Sequence, residues 1–175
     1  MKKSLTEKLV IDAIASHSSY NFHSSYWVFP NIHFGHGEHE CDLLLINRKS
    51  MNVTEIEIKL NLNDLKNNYK KTHLSGVHKT GKDGNEFNFQ EYQKKESQII
   101  YFYYAIPEDL IEEALKWIPD EVGILKIVPK GMYSKVSNYR LAKKNPYAKP
   151  IDDKTFKTLM DKWYWRYWNY RLEHR

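Results

Sequence analysis

Apolar and polar residues alternate strictly from Glu55 to Leu60, within a predicted strand at residues 53–60. The polar positions are Glu55, Glu57 and Lys59, and the apolar positions are Ile56, Ile58 and Leu60. A period of two places these sets on opposite faces of a β-strand. Residues 41–46 form an apolar run that contains one carboxylate, Asp42, and a polar turn at residues 47–52 follows it. The pattern predicts a β-hairpin in which a symmetric turn sets Asp42 opposite Glu57, with Cβ atoms roughly 4.5–5.5 Å apart.

Four further segments have the composition of β-strands. Residues 98–106 form a continuous apolar and aromatic run, which predicts a strand buried on both faces. Residues 26–29 and 32–34 indicate an edge strand interrupted by Pro30, because proline cannot donate to a sheet ladder. The remaining strands are predicted at residues 122–128 and 136–141. Strands that alternate with helices favour an α/β fold, with a mixed central sheet flanked by helices.

Helical periodicity and capping residues predict the helices. The first begins at Ser4, an N-cap with Glu7 three residues later in a capping box, and ends near residue 16. A second begins after an Asn63 cap and continues to about residue 72. Further helices are predicted at residues 91–97, 108–117 and, as a long terminal helix, about 152–172. We expect all 175 residues to form a single domain.

The terminal helix carries an apolar and aromatic stripe at helical spacing. The stripe consists of Phe156, Leu159, Met160, Trp163, Tyr167 and Tyr170. Its simplest interpretation is core packing or a dimer contact, so a homodimer stays open. Trp165 falls on the opposite face near Lys162 and Arg166, where it could stack on a nucleic-acid base or contact a protein partner.

Composition restricts the class of protein. Hydrophobic residues make up 41% and charged residues 28% of the chain, which is ordinary for a globular protein. The single cysteine, Cys41, excludes an internal disulfide and a cysteine-based zinc site. No apolar run approaches the roughly 20 residues needed to span a bilayer, and the residues after Met1 lack a signal-peptide core. We therefore expect a cytoplasmic protein with no membrane partner.

Positive charge is concentrated in the last quarter of the chain. Residues 130–175 contain 12 Lys and Arg and 4 Asp and Glu, whereas the rest of the chain contains 15 and 18. Lys and Arg bind phosphates by releasing counterions, so a basic segment beside an acidic site suits a phosphodiester substrate. The alternative is a solubilising basic tail.

The predicted hairpin also gathers groups that bind a divalent cation. Two carboxylates so close together repel each other unless a cation lies between them. Mg²⁺ prefers oxygen ligands, so Asp42, Glu57 and the Ile58 carbonyl are candidate ligands, and Mn²⁺ can substitute for Mg²⁺. Lys59 shares the face of Glu57 and could orient the attacking water or stabilise charge on a phosphate. The alternative is a solvent-facing strand with ordinary surface charges.

These residues resemble a known family. Asp42, followed by Glu57-x-Lys59 on the next strand, is similar to the signature of the PD-(D/E)xK nuclease superfamily. The wider likeness, to its MmcB-like DNA-repair branch, rests on residues 59–65, Lys70 and residues 102–107. The resemblance implies a restriction-endonuclease-like αβββαβ core, in which the hairpin carries the site and an acidic residue on the first helix completes it.

Glu7 is the candidate for this acidic residue. It lies on the same helical face as the apolar Val10 and Ile14, at the border of the stripe expected to be buried. A capping role would explain Glu7 equally well. The chain departs from the family at Asn68, where a second helical acid is expected, and in an insertion at residues 73–90 that is rich in Gly and His.

Three histidines precede the hairpin at intervals of three, at positions 33, 36 and 39. This spacing invites a transition-metal interpretation, but Gly35 and Gly37 indicate a loop with no fixed helical face. Surface or substrate-contacting roles are therefore favoured for the histidines. Glu40 could supplement Asp42.

The residues and the resemblance together predict a Mg²⁺-dependent nuclease that hydrolyses phosphodiester bonds in DNA, as an endonuclease in preference to an exonuclease, in repair or processing. Asp42, Glu57 and Glu7 hold the metal, and Lys59 positions the attacking water. Phosphate contacts are expected from Lys66, Lys70 and Arg166. The alternatives are a catalytically silent nucleic-acid-binding module of the same fold, a nuclease that cleaves RNA, and a protein-interaction domain that uses the aromatic helix.

Overall fold

A six-stranded sheet runs through the part of the chain that the structure, a computed structural model, describes: residues 5–16, 25–34, 40–68, 98–130 and 133–173. The strands are β1 (Tyr26–His33), β2 (Glu40–Asn47), β3 (Val53–Ile58), β4 (Ile99–Pro107), β5 (Gly123–Lys130) and β6 (Tyr133–Arg140). The helices are α1 (Glu7–Ser16), α2 (Leu62–Asn68), α3 (Ile111–Ala114) and α4 (Asp153–Glu173), and a 3₁₀ turn, Glu108–Leu110, precedes α3.

The strands lie in the sheet in the order in which they occur in the chain. Strands β1, β2 and β3 are antiparallel neighbours, β3, β4 and β5 are parallel neighbours, and β6 is antiparallel to β5. The sheet is therefore mixed, as predicted. The α/β class and the long C-terminal helix are also confirmed.

The sheet separates two clusters of buried side chains, so the core has two layers. One cluster contains α1, through Val10 and Ile14. The other contains α2, α3 and α4, through residues that include Leu65, Ile111 and Leu159. Helices on both faces explain why the central strands β3 and β4 are buried almost throughout.

Burial of β3 corrects one expectation. All six residues of the strand are buried, including both glutamates, so the solvent-facing alternative for this strand is wrong. Alternation indicated two faces but not what covers them. The polar face is covered because Phe102 and Tyr104, which pair with Glu55 and Glu57, belong to the core cluster that the helices α2, α3 and α4 complete on that side of the sheet.

The predicted interruption of the edge strand at Pro30 is also wrong. Strand β1 is continuous, and Pro30 pairs with Leu43 on β2. Proline is tolerated because β1 is the edge of the sheet and has a neighbour on one side only. The irregular residue is Asn31, whose φ of 48° lies in the left-handed region that Asn adopts more readily than most residues.

Two predicted helix caps are replaced by neighbouring residues. Helix α1 begins at Glu7, and Thr6 takes the N-cap position by accepting the Leu9 N–H at 3.4 Å. Helix α2 is capped by Asn61 and not by Asn63, because the Asn61 Oδ1 accepts the N–H of Asp64 at 2.9 Å. Asn and Thr are both good N-cap residues. Each segment therefore offered several nearby candidates, and the sequence did not decide which of them caps the helix.

Other boundaries shift by a few residues. The strand predicted at 136–141 begins earlier, as β6, and the helix predicted at 108–117 divides into a 3₁₀ turn, α3 and a further turn. Several predictions lie outside the described residues: Ser4, His36, His39, Lys70, the end of the second helix to residue 72, the insertion at 73–90 and the helix at 91–97.

Helix α4 has two dissimilar halves. In the first half, Leu159 is buried, and the Phe156 ring lies 5.8 Å from Trp27 and 6.4 Å from Phe29, so the predicted stripe packs on the sheet there. In the second half, every residue from 161 to 173 is exposed. The core interpretation is therefore wrong for Trp163, Tyr167 and Tyr170. Beyond Met160 the helix extends past the side chains that cover its first half.

Candidate active site

The hairpin brings Asp42, Glu57 and Lys59 together at the carboxyl end of β3. The Nζ atom of Lys59 lies 2.7 Å from Oε2 of Glu57 and 4.0 Å from Oδ2 of Asp42. The last paired residues of the hairpin are Leu43 and Ile56, so Asp42 and Glu57 occupy the next opposing positions, as the symmetric turn predicted. Beyond this pair, Oδ2 of Asp42 accepts the backbone N–H of Ile58 at 2.7 Å.

The three side chains differ in how far solvent reaches them. Glu57 is 3% and Lys59 is 6% exposed, whereas the Asp42 side chain keeps 25% of its surface accessible. Glu57 lies between β2 and β4, and the Lys59 backbone N–H donates to the Ala105 carbonyl at 3.0 Å. A ligand approaching from solvent therefore meets Asp42 before it meets the buried Glu57–Lys59 pair.

A break in strand alternation occurs at Asp42 and its neighbour on β1. Phe29 and Ile32 lie in the same core cluster although they are three residues apart, and so do Leu44 and Cys41. Strict alternation would place residues three apart on opposite faces. The alternation of faces therefore breaks in both strands, between Phe29 and Ile32 on β1, where Asn31 has a φ of 48°, and between Cys41 and Leu44 on β2, where Asp42 lies.

Asn31 connects the two helical layers at this break. With its amide nitrogen facing the nearby oxygens, it donates to Oε1 of Glu7 at 3.1 Å and to the Asp42 carbonyl at 3.3 Å. The backbone carbonyl of Asn31 accepts a hydrogen bond from Arg166 on α4. Sequence reasoning missed Asn31. The available signal was an asparagine directly after a proline inside a strand, where a positive φ is most easily accepted.

Glu7 lies within electrostatic range of the same groups. Partial burial raises the pKa of its carboxyl, and the negative charge of Asp42 raises it further. The Lys59 ammonium lowers this pKa, and Glu40 raises it. Glu7 therefore lies near Asp42 and Lys59, and its pKa lies above the ordinary value chiefly because of partial burial and then because of the charge of Asp42.

The predicted phosphate contacts have other partners in the structure. Arg166 donates to Oε1 of Glu40 at 2.7 Å, and Lys162, one turn earlier on α4, reaches the His33 carbonyl at 3.5 Å. Lys66 lies over the Trp117 ring, with Nζ 5.0 Å from the ring centroid, in a cation–π contact. Arg166 is therefore beside the candidate site, attached to an acidic residue at its rim.

The donor chemistry of the site fits Mg²⁺. Carboxylate oxygens are the ligands this ion prefers, and it is commonly held by one or two of them with water and substrate phosphate. Within the described ranges, no group of three or more His, Cys, Asp or Glu side chains is placed to hold a metal ion unaided. Asp42 and Glu57 would be the principal ligands. The Ile58 amide already fixes Asp42, and its carbonyl as a ligand stays a prediction.

Cys41, adjacent to Asp42, does not offer a nucleophile. Burial raises the pKa of its thiol, and the charges of Glu55 and Glu57 raise it further. A thiol held in the neutral form reacts poorly, because the thiolate is the reactive species.

A cleft of about 480 Å³ opens beside the site, at the carboxyl ends of the parallel strands. Leu60 and Asn61 after β3, Pro107 at the end of β4 and Pro129 in β5 are among its lining residues. Open α/β sheets commonly bind ligands in the crevice at this end of the strands. Leu60, which follows Lys59 directly, is among the lining residues, whereas Asp42, Glu57 and Lys59 are not.

No protein-family model and no curated protein matches this chain. Among solved structures, the chain is similar to the SPO1766 protein of unknown function from Silicibacter pomeroyi, with a TM-score of 0.56 and 17% identity. The match covers 98% of this chain and 92% of that one. At this identity the likeness shows the fold alone. None of the described helices has both the length and the apolarity to cross a membrane.

Proposed function

We propose that the protein is a Mg²⁺-dependent nuclease that hydrolyses phosphodiester bonds in DNA. The observation that carries the proposal is the convergence of Asp42 and Glu57 on the Lys59 ammonium, at 4.0 and 2.7 Å. Buried charges are costly and often do not stabilise a fold, so they are more common at functional sites than elsewhere. The Asp42 side chain, which is 25% exposed, is the part of the site that a substrate can reach from solvent.

The order of elements supports the same proposal. From α1 to β4 the chain forms one helix, three strands, a helix and a strand, with β1 to β3 antiparallel and β4 parallel to β3. This is the order expected of a restriction-endonuclease-like αβββαβ core. In such a core the second and third strands carry the acids and the lysine, which matches the positions of Asp42, Glu57 and Lys59. Glu7 on α1 matches the additional acid.

Each side chain has a separate task in the proposed reaction. Asp42 and Glu57 hold Mg²⁺, which supplies Lewis acidity by polarising a phosphate oxygen and making a water easier to deprotonate. Glu7 assists from α1 as an additional carboxylate ligand, since it lies within electrostatic range of Asp42 and Lys59. Lys59 orients the attacking water and stabilises the negative charge that develops on the phosphate. The family resemblance suggests DNA repair or processing as the setting.

Cleavage assays test the proposal. The purified chain is incubated with supercoiled plasmid and with linear single- and double-stranded DNA, with Mg²⁺ or Mn²⁺. Lys59→Met and Asp42→Asn should each reduce cleavage by roughly 100-fold or more, because the first removes the cation that stabilises developing negative charge and the second removes charge that holds the metal. Lys126→Met is the matched control, since Lys126 also pairs with a carboxylate, that of Glu108, at 2.7 Å. Wild-type protein that cuts no DNA form with either metal would contradict the proposal.

A catalytically silent module that binds nucleic acid is the second candidate. It is favoured by the short Lys59–Glu57 contact, because the lysine already neutralises the buried glutamate without a metal. This candidate predicts nucleic-acid binding that is independent of divalent cations. RNA is assayed in parallel, since a site that reads phosphates does not distinguish the sugars.

A further inference from the structure

The second half of α4 exposes an unusual number of aromatic side chains. Between 36% and 64% of the surface of each remains accessible, with Trp165 the most exposed. Six aromatic residues form this aromatic platform: Trp163, Tyr164, Trp165, Tyr167, Trp168 and Tyr170. A contiguous exposed patch of large rings marks an interaction site, because leaving apolar surface in water is unfavourable.

The aromatic platform is too broad for a narrow helix–helix seam. At 3.6 residues per turn, its side chains cover more than half of the helix circumference. A coiled-coil contact uses a narrow stripe, with polar residues elsewhere. Here the remaining sector carries Lys162 and Arg166, which contact the carbonyls of His33 and Asn31. A flexible polymer can follow such a surface more completely than a second rigid helix can.

The rings of the aromatic platform contact one another, and Trp165 and Tyr164 keep 64% and 54% of their surface exposed. Trp163 and Tyr167, four residues apart, are nearly parallel, with centroids 6.0 Å apart and an interplanar angle of 18°. Tyr164 meets Trp165 edge to face at 80°. Aromatic rings held on a rigid helix offer faces on which bases stack, whatever the base.

The charge around the aromatic platform is positive. Residues 162–172 contain three cations and no carboxylate, and the Arg171 guanidinium lies 6.0 Å from the Tyr167 ring centroid. The surrounding segment, residues 130–175, has 12 Lys and Arg against 4 Asp and Glu. This balance complements a polyanion and disfavours a second copy of the same helix, which would bring like charges together.

The aromatic platform begins beside the candidate active site. Arg166 lies between the platform residues along the helix, and it contacts both Glu40 and the carbonyl of Asn31. Asn31 in turn contacts Glu7 and the backbone of Asp42. The second half of α4 is therefore connected to the carboxylates through Arg166 and Asn31.

We propose that the aromatic platform binds single-stranded DNA and leads it to the Asp42–Glu57–Lys59 site. The inference rests on the proposed function, which makes DNA the substrate. Bases inside a duplex are already stacked on one another, so the rings reach them only in a single-stranded segment or beside a junction. The substrate class is therefore DNA with a single-stranded stretch.

Binding is measured without divalent metal, so that it does not depend on cleavage. A fluorescein-labelled 20-nucleotide oligo(dT) and a 20-base-pair duplex are titrated with the chain by anisotropy. Tyr164→Ala and Trp165→Ala should each weaken oligo(dT) binding by roughly 5- to 150-fold, the range for loss of one stacked base. Their salt dependence should not change, because no phosphate contact is lost. Tyr139→Ala, which removes an equally exposed tyrosine from β6, is the matched control.

Three results would overturn the inference. The first is oligo(dT) affinity unchanged in both variants, and the second is a duplex or an oligo(rU) bound more tightly than oligo(dT). The third is a dimer in light scattering that Trp165→Ala converts to a monomer while oligo(dT) affinity stays the same. Failure of the nuclease proposal gives a different result, since the wild type would then bind oligo(dT) in a manner that depends on Tyr164 and Trp165 but would cut no DNA with Mg²⁺ or Mn²⁺.

Discussion

The end of β3 and the second half of α4 both depart from the usual division of side chains between core and surface. The first buries charged side chains, and the second exposes large aromatic rings. At the end of β3, a glutamate and a lysine are 3% and 6% exposed. On α4, a tryptophan is 64% exposed, and five further aromatic residues accompany it. Globular proteins ordinarily place charges outside and large rings inside. Both regions therefore lack a simple structural purpose.

The two regions also differ in the unfavourable free energy that a bound ligand would offset. The buried charges have lost their hydration, and a bound cation or phosphate would compensate for that loss. The exposed rings leave apolar surface in contact with water, so any partner that covers them buries that surface favourably. One region is suited to chemistry on a phosphate, and the other to sequence-independent contact with bases. Proteins commonly accept such losses in stability at functional sites.

Removing one member of the buried pair is the most severe test of this comparison. Lys59→Met should lower the free energy of unfolding by about 3–5 kcal/mol, because it deprives the buried Glu57 of its nearest cation. The double variant Glu57→Leu, Lys59→Met should recover most of this loss, since apolar residues of similar size can replace a buried ion pair. Urea denaturation measures both.

Recovered stability without recovered cleavage is the expected combination for the double variant. Lys126→Met, at a half-exposed ion pair, should cost no more than about 1 kcal/mol. A Lys59→Met protein with the same free energy of unfolding as wild type would show that Glu57 and Lys59 do not form the buried ion pair described above.

The two halves of α4 provide the next test. Leu159→Ala in the packed half should cost about 2–5 kcal/mol, because it leaves a cavity in the core. Trp165→Ala in the exposed half should change stability by less than about 0.5 kcal/mol. Thermal unfolding followed by circular dichroism compares them. A large loss in the Trp165 variant would mean that its ring packs within the fold.

The smallest expected effect concerns Glu7. Because its pKa is raised in the folded protein, the protonated form favours folding, and this contribution is fully present below the unfolded pKa and lost as pH rises through the folded value. Glu7→Gln removes this pH-dependent contribution of Glu7 to the free energy of unfolding. From about pH 4 upward the free energy of unfolding of the variant should exceed that of wild type by less than about 1 kcal/mol, since Glu7 is only partly buried.

Urea denaturation at a series of pH values measures this gain. Asp12→Asn, at an exposed position of the same helix, should show no comparable trend. A Glu7→Gln variant that loses stability relative to wild type as pH rises would reverse the sign and contradict the account.

Short-range patterns in the sequence were enough to predict the hairpin. Strict alternation and a short polar turn located its two strands and their register, and this register alone brings Asp42, Glu57 and Lys59 together. The apolar run that forms β4 was similarly clear, since a strand buried on both faces has no polar positions.

Long-range contacts determined the parts that the sequence did not predict. The full burial of β3 depends on pairing with β4, which follows much later in the chain. Asn31 acts through its positive φ and its contacts with Glu7 and Arg166, which come from helices on opposite faces of the sheet. The pairing of Arg166 with Glu40 has no signal in the local pattern around either residue.

Calorimetric titration with Mg²⁺ and with Mn²⁺ tests the central claim, that Asp42 and Glu57 converge to hold a divalent cation. Asn at position 42 can still accept the Ile58 N–H, so Asp42→Asn removes charge with little change in shape. The account predicts saturable binding to the wild type and to Asp12→Asn, and affinity at least about 10-fold weaker in Asp42→Asn. Identical titrations of the wild type and Asp42→Asn would contradict it.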